Sequence, residues 1–161
     1  MKKLRTKFLV FMYETTQKNY RKFFKRGKRK WQFTEEQLLN FQEDSLGRTL
    51  GEFYHKHGFR MIPQMENHDV YHLVTNYSTK IQDEIAMQYL LFGNGKKSAY
   101  LLGVLVLGTI VFPEYYTIYM QAYRKGKNMR SFHAWDFEAL LWQNFEHLKD
   151  FIAQKKVMNF Y

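Results

Sequence analysis

The sequence predicts an all-α fold: a single-domain helical bundle, with its densest polar motif on a helical hairpin and a basic amphipathic helix at the N-terminus. Three observations carry this expectation. Apolar residues recur at helical spacing along most of the chain. No alternating run bounded by a hairpin turn persists, and no internal repeat is visible. The length of 161 residues, 45% hydrophobic and 19% aromatic, suits one domain with its own core.

The chain begins with a charge imbalance. Residues 1–30 hold 12 of the 25 Lys and Arg against a single acid, Glu14, so the net charge of +10 sits almost wholly in this block. Within it, Leu4, Phe8, Phe11 and Met12 follow the i, i+4, i+7, i+8 spacing of one helical face, with Lys3, Arg5 and Lys7 elsewhere. Phe23 lies in "RKFFKRGKRKW" beside Lys22 and Arg26, and Gly27 marks a break. Basic side chains interleaved with Phe suit a lipid interface. No RNA- or DNA-binding motif accompanies them, so nucleic acid is not an expected partner. Residues 1–30 are therefore taken as a membrane-facing arm and 31–161 as the helical domain.

Thr34 and Gln37 form a candidate capping box, and "TEEQLLNFQ" is expected to be a short helix. In "SLGRTLGEFYHKHGF", Leu46, Leu50 and Phe53 have helical spacing and Gly58 supplies the stop. Pro63 sits in an extended connector. After a polar cluster at 67–84, "IAMQYLLF" is helical and ends at the turn "GNGKK". "SAYLLGVLVLGTIVF" is apolar around its whole circumference, which predicts a buried helix. Pro113 opens "PEYYTIYMQAYRKGKN", whose basic end suits a helix C-terminus. A last helix is expected over Trp135–Ile152. The apolar run from Ala99 to Phe112 has 14 residues, where a spanning helix needs about 20. The segment Phe8–Met12 is too brief for a secretory signal core.

The polar cluster "NHDVYHLVTNYSTKIQDE" is the candidate site. His68 and His72 are one helical turn apart on the same face, with Asp69 beside them. In one unbroken helix Glu84 would lie about 18 Å beyond His72, too far to share an ion. The chain must therefore reverse near "NYST", where Thr79 and Gln82 offer a capping box for a new helix starting near Lys80. The hairpin would then present His68, Asp69, His72 and Glu84 to one pocket. With no cysteine in the chain, a metal there is held by imidazole and carboxylate alone. The alternative is a solvent-facing polar stripe. A third reading resembles HD-type phosphohydrolases, with His55 and His57 upstream, but Asp136 looks like part of a helix start rather than the downstream ligand.

His68-Asp69-Val70-Tyr71-His72, eleven further residues and Glu84 resemble the H-D-x-x-H-x11-E signature of the ubiquinone biosynthesis family Coq-four. "SLGRTLGEFYHKHGF" upstream and "AYRKGKNMRSFHAWDFEALLWQNFEHLK" downstream resemble the same family in the same order. The resemblance implies a divalent metal held by the four signature positions. Zinc is the first expectation, with iron or magnesium as alternatives. It also implies oxidative decarboxylation at ring carbon 1 of a polyprenylated hydroxybenzoate, or else a non-catalytic prenyl-lipid-binding scaffold for other quinone-biosynthesis enzymes. Leu101, Leu105, Ile110 and Phe112 are candidates for a prenyl channel. Phe8, Phe11, Phe23, Lys22 and Arg26 are candidates for contact with an anionic membrane surface. The expected location is the inner face of the cell membrane, peripheral and cytoplasmic, or the matrix face in a mitochondrion. A homodimer is a further expectation.

Overall fold

Short polar side chains that satisfy otherwise free amides set most helix starts in this chain. The computed structural model describes Arg5 and residues 29–154, so the arm residues Phe8, Phe11, Lys22, Phe23 and Arg26 lie outside the described residues. Thr34 Oγ1 accepts from the Gln37 amide and the Gln37 side chain accepts from the Thr34 amide, which starts α1 (Glu35–Leu38). That helix is one turn long rather than the whole of "TEEQLLNFQ". The chain leaves it to bury Phe41 edge-on to Phe33 and against Trp142.

Ser45 caps α2 (Leu46–His57), and Gly58 ends it in the left-handed conformation at φ 62°. A turn at Pro63–Gln64 leads into α3 (Glu66–Thr75). Asn76, also left-handed at φ 59°, stops α3, and α4 (Ile81–Gly93) begins five residues later. The predicted reversal at "NYST" is present. Its capping chemistry differs from expectation: Lys80 occupies the N-cap without a side-chain bond, and Thr79 plays no capping part. Ser78 braces the turn instead, its hydroxyl accepting from the Lys80 amide and donating to Asp83.

Ser98 caps α5 (Ala99–Val111). A 3-10 turn at Pro113–Tyr115 then leads to α6 (Tyr116–Asn128), and the chain bends by 104° between the two. Here the structure corrects the sequence: α5 is not buried all round. Leu101, Leu105 and Gly108 face inward, whereas Leu102, Val106 and Ile110 are 48%, 59% and 69% exposed. The reason is that α4 packs chiefly on α6, which leaves α5 a single inward face. The expected helix over Trp135–Ile152 is also corrected. Residues 131–137 form no helix, a 3-10 turn spans Glu138–Leu140, and α7 (Phe145–Ala153) starts only where Asn144 accepts from the His147 amide. The cause lies in backbone pairing: the Leu46 and Gly47 amides donate to Gln143 and Leu141 carbonyls, and the Phe145 amide donates to Asp44. Asp136 is thus in a non-helical segment, not at a helix start.

The centre of the fold is the crossing of α4 and α6. A Cβ on Gly126 would lie 2.0 Å from the Leu90 carbonyl oxygen, and one on Gly93 would lie 2.1 Å from that of Tyr123. The two backbones touch directly. The buried Asn94 locks the crossing: its Nδ2 donates to the Gly126 and Arg130 carbonyls, and its Oδ1 accepts from the Phe132 and His133 amides. The segment held there grips α3, because the Tyr71 hydroxyl donates to the His133 carbonyl at 2.7 Å and Asn67 donates to that of Trp135.

Gly126→Ala therefore forces backbone against backbone and is expected to cost about 3 kcal/mol or more. By contrast, a Cβ on Gly103 meets nothing within 4 Å, so Gly103→Ala gains about 0.5–1 kcal/mol from helix propensity alone. Urea denaturation of the two variants beside the parent protein measures both, and opposite signs are expected.

Candidate metal centre

The hairpin of α3 and α4 delivers three side chains to one point. His68 and His72 project from the same face of α3 with ring centroids 5.0 Å apart. Glu84, in the first turn of α4, lies between them: its Oε1 is 3.2 Å from His68 Nε2 and its Oε2 is 3.0 Å from His72 Nε2. Among the described residues, these three offer ligand atoms that all lie within 4.8 Å of one another. The group can hold a metal ion. Gln88, one turn further along α4, donates from Nε2 to Glu84 Oε1 at 3.2 Å.

The fourth predicted residue takes a different place. Asp69 lies outside that group, and its Oδ2 accepts the Tyr54 hydroxyl of α2 at 2.7 Å. It still lines the same cavity as His68, His72 and Glu84. Of the channel candidates, Leu101 lines a second cavity that also reaches His68. Leu105 and Phe112 belong to the hydrophobic core, and Ile110 points outward.

Burial and charge act against each other at the site. Burial alone would raise the Glu84 pKa, but the two imidazoles outweigh it and hold the carboxyl well below the usual range. Burial would lower the His72 pKa, yet the bond to Glu84 and its charge raise it. Asp69 is pushed up by burial, which the nearby histidines and the Tyr54 hydroxyl offset only in part. The same burial, with the Asp69 charge, raises the Tyr54 phenol.

Hydrogen bonding tests whether a cation fits. His72 Nδ1 lies 3.0 Å from the Tyr77 carbonyl oxygen, which can only accept, so Nδ1 carries the proton. In the neutral ring, Nε2 then aims a lone pair at the Glu84 carboxylate. Two electron-rich groups cannot face each other at 3.0 Å unless something positive lies between them. A proton on Nε2 does this in the ion pair, and a metal ion does it equally. An imidazole that donates its far nitrogen to a carbonyl is the usual support of a metal-ligating histidine. The donor set fits a divalent ion.

Two cavities meet at this group. One, of about 550 Å³, is bordered by Phe59, Ile62, Met65 and Ile81 and reaches all four motif residues. The other, of about 840 Å³, is more polar, with Arg29, Lys97, His133 and Asp136 on its wall. Met65 and His68 line both. Neither Tyr54 nor Gln88 was identified from sequence as part of the site. Gln88 is legible as the i+4 neighbour of Glu84, whereas Tyr54, fifteen residues before Asp69, carries no local signal.

Comparison with known proteins agrees with the geometry. The sequence model of the coenzyme Q (ubiquinone) biosynthesis protein Coq4 matches residues 55–157. A solved structure from Nostoc punctiforme, provisionally described as a ubiquinone biosynthesis protein, superposes with a TM-score of 0.64 at 17% identity, covering 95% of this chain and 81% of that one. At that identity the likeness is one of fold. None of the curated proteins compared matches the sequence.

Protein purified without added metal and then titrated with zinc or iron(II) is expected to bind the ion, and His72→Ala or Glu84→Gln to abolish binding. Gln88→Ala, which removes support but no ligand, should weaken affinity by about 10- to 100-fold. Metal retained at parental level in His72→Ala would refute the assignment.

Proposed function

The chain belongs to the family of the coenzyme Q (ubiquinone) biosynthesis protein Coq4, and from that premise we propose a metal-dependent, membrane-peripheral enzyme that decarboxylates ring carbon 1 of a polyprenylated hydroxybenzoate. The observation that carries the metal dependence is the His72 arrangement, with Nδ1 on the Tyr77 carbonyl and Nε2 facing a buried carboxylate. His68, His72 and Glu84 hold the ion, and Asp69 is the remaining position of the signature motif.

The surroundings suit a substrate with a polar ring and a greasy tail. The cavity bordered by Phe59, Ile62, Met65 and Ile81 takes apolar chain, and His68 stands where this space joins the more polar chamber. A ring placed at that junction has its polar substituents toward the chamber lined by Arg29, Lys97, Glu66, Asp136 and Glu138 and its tail among apolar side chains. A divalent ion at the site supplies Lewis acidity toward a ring hydroxyl or carboxylate. Asp69, whose carboxyl burial pushes up, is positioned to carry a proton, and the Tyr54 hydroxyl fixes its orientation. The overall balance is one ring carboxylic acid, one dioxygen and one water giving a ring hydroxyl, carbon dioxide and hydrogen peroxide. Dioxygen is the two-electron acceptor.

The location proposed is the inner face of the cell membrane, or the matrix face in a mitochondrion, with Phe8, Phe11, Phe23, Lys22 and Arg26 contributing to contact with anionic lipid. Other quinone-biosynthesis proteins are proposed partners.

Incubating the protein with a prenylated 4-hydroxybenzoate and following carbon dioxide release and ring hydroxylation tests the proposal. Turnover is expected to require both metal and oxygen and to fall to background in His72→Ala. Tight binding of the substrate without turnover under every metal and oxygen condition would replace the enzyme reading with that of a prenyl-lipid-binding scaffold.

A further inference from the structure

We propose that the outward face of α5, with the first turn of α6, is the surface on which this protein rests on an anionic lipid bilayer. The inference rests on the membrane-peripheral reading above and assigns it to a face of the folded domain. Leu102, Val106 and Ile110 recur every four residues on α5, with Leu107 beside them, and all four are exposed. Past the bend, Tyr116 and Ile118 at the start of α6 are exposed as well, at 52% and 47%. A contiguous apolar surface of this kind marks an interaction site.

Charge identifies the partner. From Ser98 to Tyr123 the sequence holds one charged side chain, Glu114, and Arg5 pairs with it at 3.3 Å. Lys96 and Lys97 stand immediately before this stretch, and Arg124, Lys125 and Lys127 stand just after it. The basic end of α6 lies against Asn94, just before Lys96 and Lys97, so these cations gather near the start of α5, and an apolar face with cations beside it complements acyl chains beneath anionic headgroups. Arg5 reaches the same place, since its Nη1 also donates to the Val111 carbonyl at the end of α5.

A second copy of the chain fits less well. Protein interfaces carry a polar rim with regular hydrogen bonds, and the exposed side chains of α5 can form none. Nor does the face imply a spanning helix. With 13 residues, α5 is about 20 Å long against a hydrocarbon core of about 30 Å, so it lies within the interface rather than across it.

The test is flotation of the full-length protein with phosphatidylcholine vesicles containing phosphatidylglycerol, comparing the parent with Val106→Glu/Ile110→Glu. Both residues point away from the core, so the variant should keep its melting transition while vesicle partitioning weakens by about 100-fold. Because the chain has no cysteine, an environment-sensitive fluorophore placed through Val106→Cys gives a second readout. Its emission should shift to the blue on these vesicles, whereas a label at Glu43→Cys should not shift. Equal flotation of parent and double variant, or an unshifted label at 106 on vesicle-bound protein, would overturn the face while leaving membrane contact through the arm intact. A parent that does not float at all would remove both. A dimer that becomes monomeric in the double variant without lipid would reassign the face to a second copy.

Discussion

The direct backbone contact between α4 and α6 is the constraint on which the rest of this structure depends. With no side chain on Gly93 or Gly126 to hold the helices apart, the Tyr123 and Leu90 carbonyls stand where an added Cβ would clash at 2.1 and 2.0 Å. Asn94 then fastens the last turn of α6 and the chain beyond it to the end of α4 with four hydrogen bonds. That fastened segment holds α3 through Tyr71 and Asn67. The helix bearing the two histidines and the helix bearing Glu84 are thus referenced to one rigid junction. Glu84 sits about 14 Å upstream of it along α4.

The site imposes its own electrostatic demand. An isolated carboxylate as buried as Glu84 would be strongly destabilising, and in most proteins it would take up a proton. Here two imidazoles and the Gln88 amide surround it, so it stays ionised and requires positive charge in return. Stripping one partner from a buried pair of this type typically costs about 3–5 kcal/mol. A dication held by the same side chains would meet that demand.

Part of this was legible in the sequence because it follows from local rules. Helical spacing of His68 and His72, and the impossibility of reaching Glu84 along one helix, required the reversal that Asn76 makes. The Thr34–Gln37 box and the Gly58 stop are local in the same sense. Other features were hidden because they depend on distant partners. The Tyr54 bond to Asp69 joins separate helices, and the glycine crossing gives no pattern along the chain. The Trp135–Ile152 segment has helical composition, yet its backbone groups pair with residues 44–47 instead. An apolar circumference like that of α5 reports only that no polar group needs water. It says nothing about whether protein or another apolar medium covers it.

The eleven-residue gap between His72 and Glu84 can be understood as a ruler. Three residues complete α3, five make the turn, and three begin α4. The turn is also a structural support, since its Tyr77 carbonyl fixes which nitrogen of His72 bears the proton. One residue more or fewer would rotate Glu84 by about 100° around its helix axis and would shift the carbonyl that sets the imidazole tautomer. Spacing and ligand chemistry are therefore a single property of the loop, and the two cannot be varied separately.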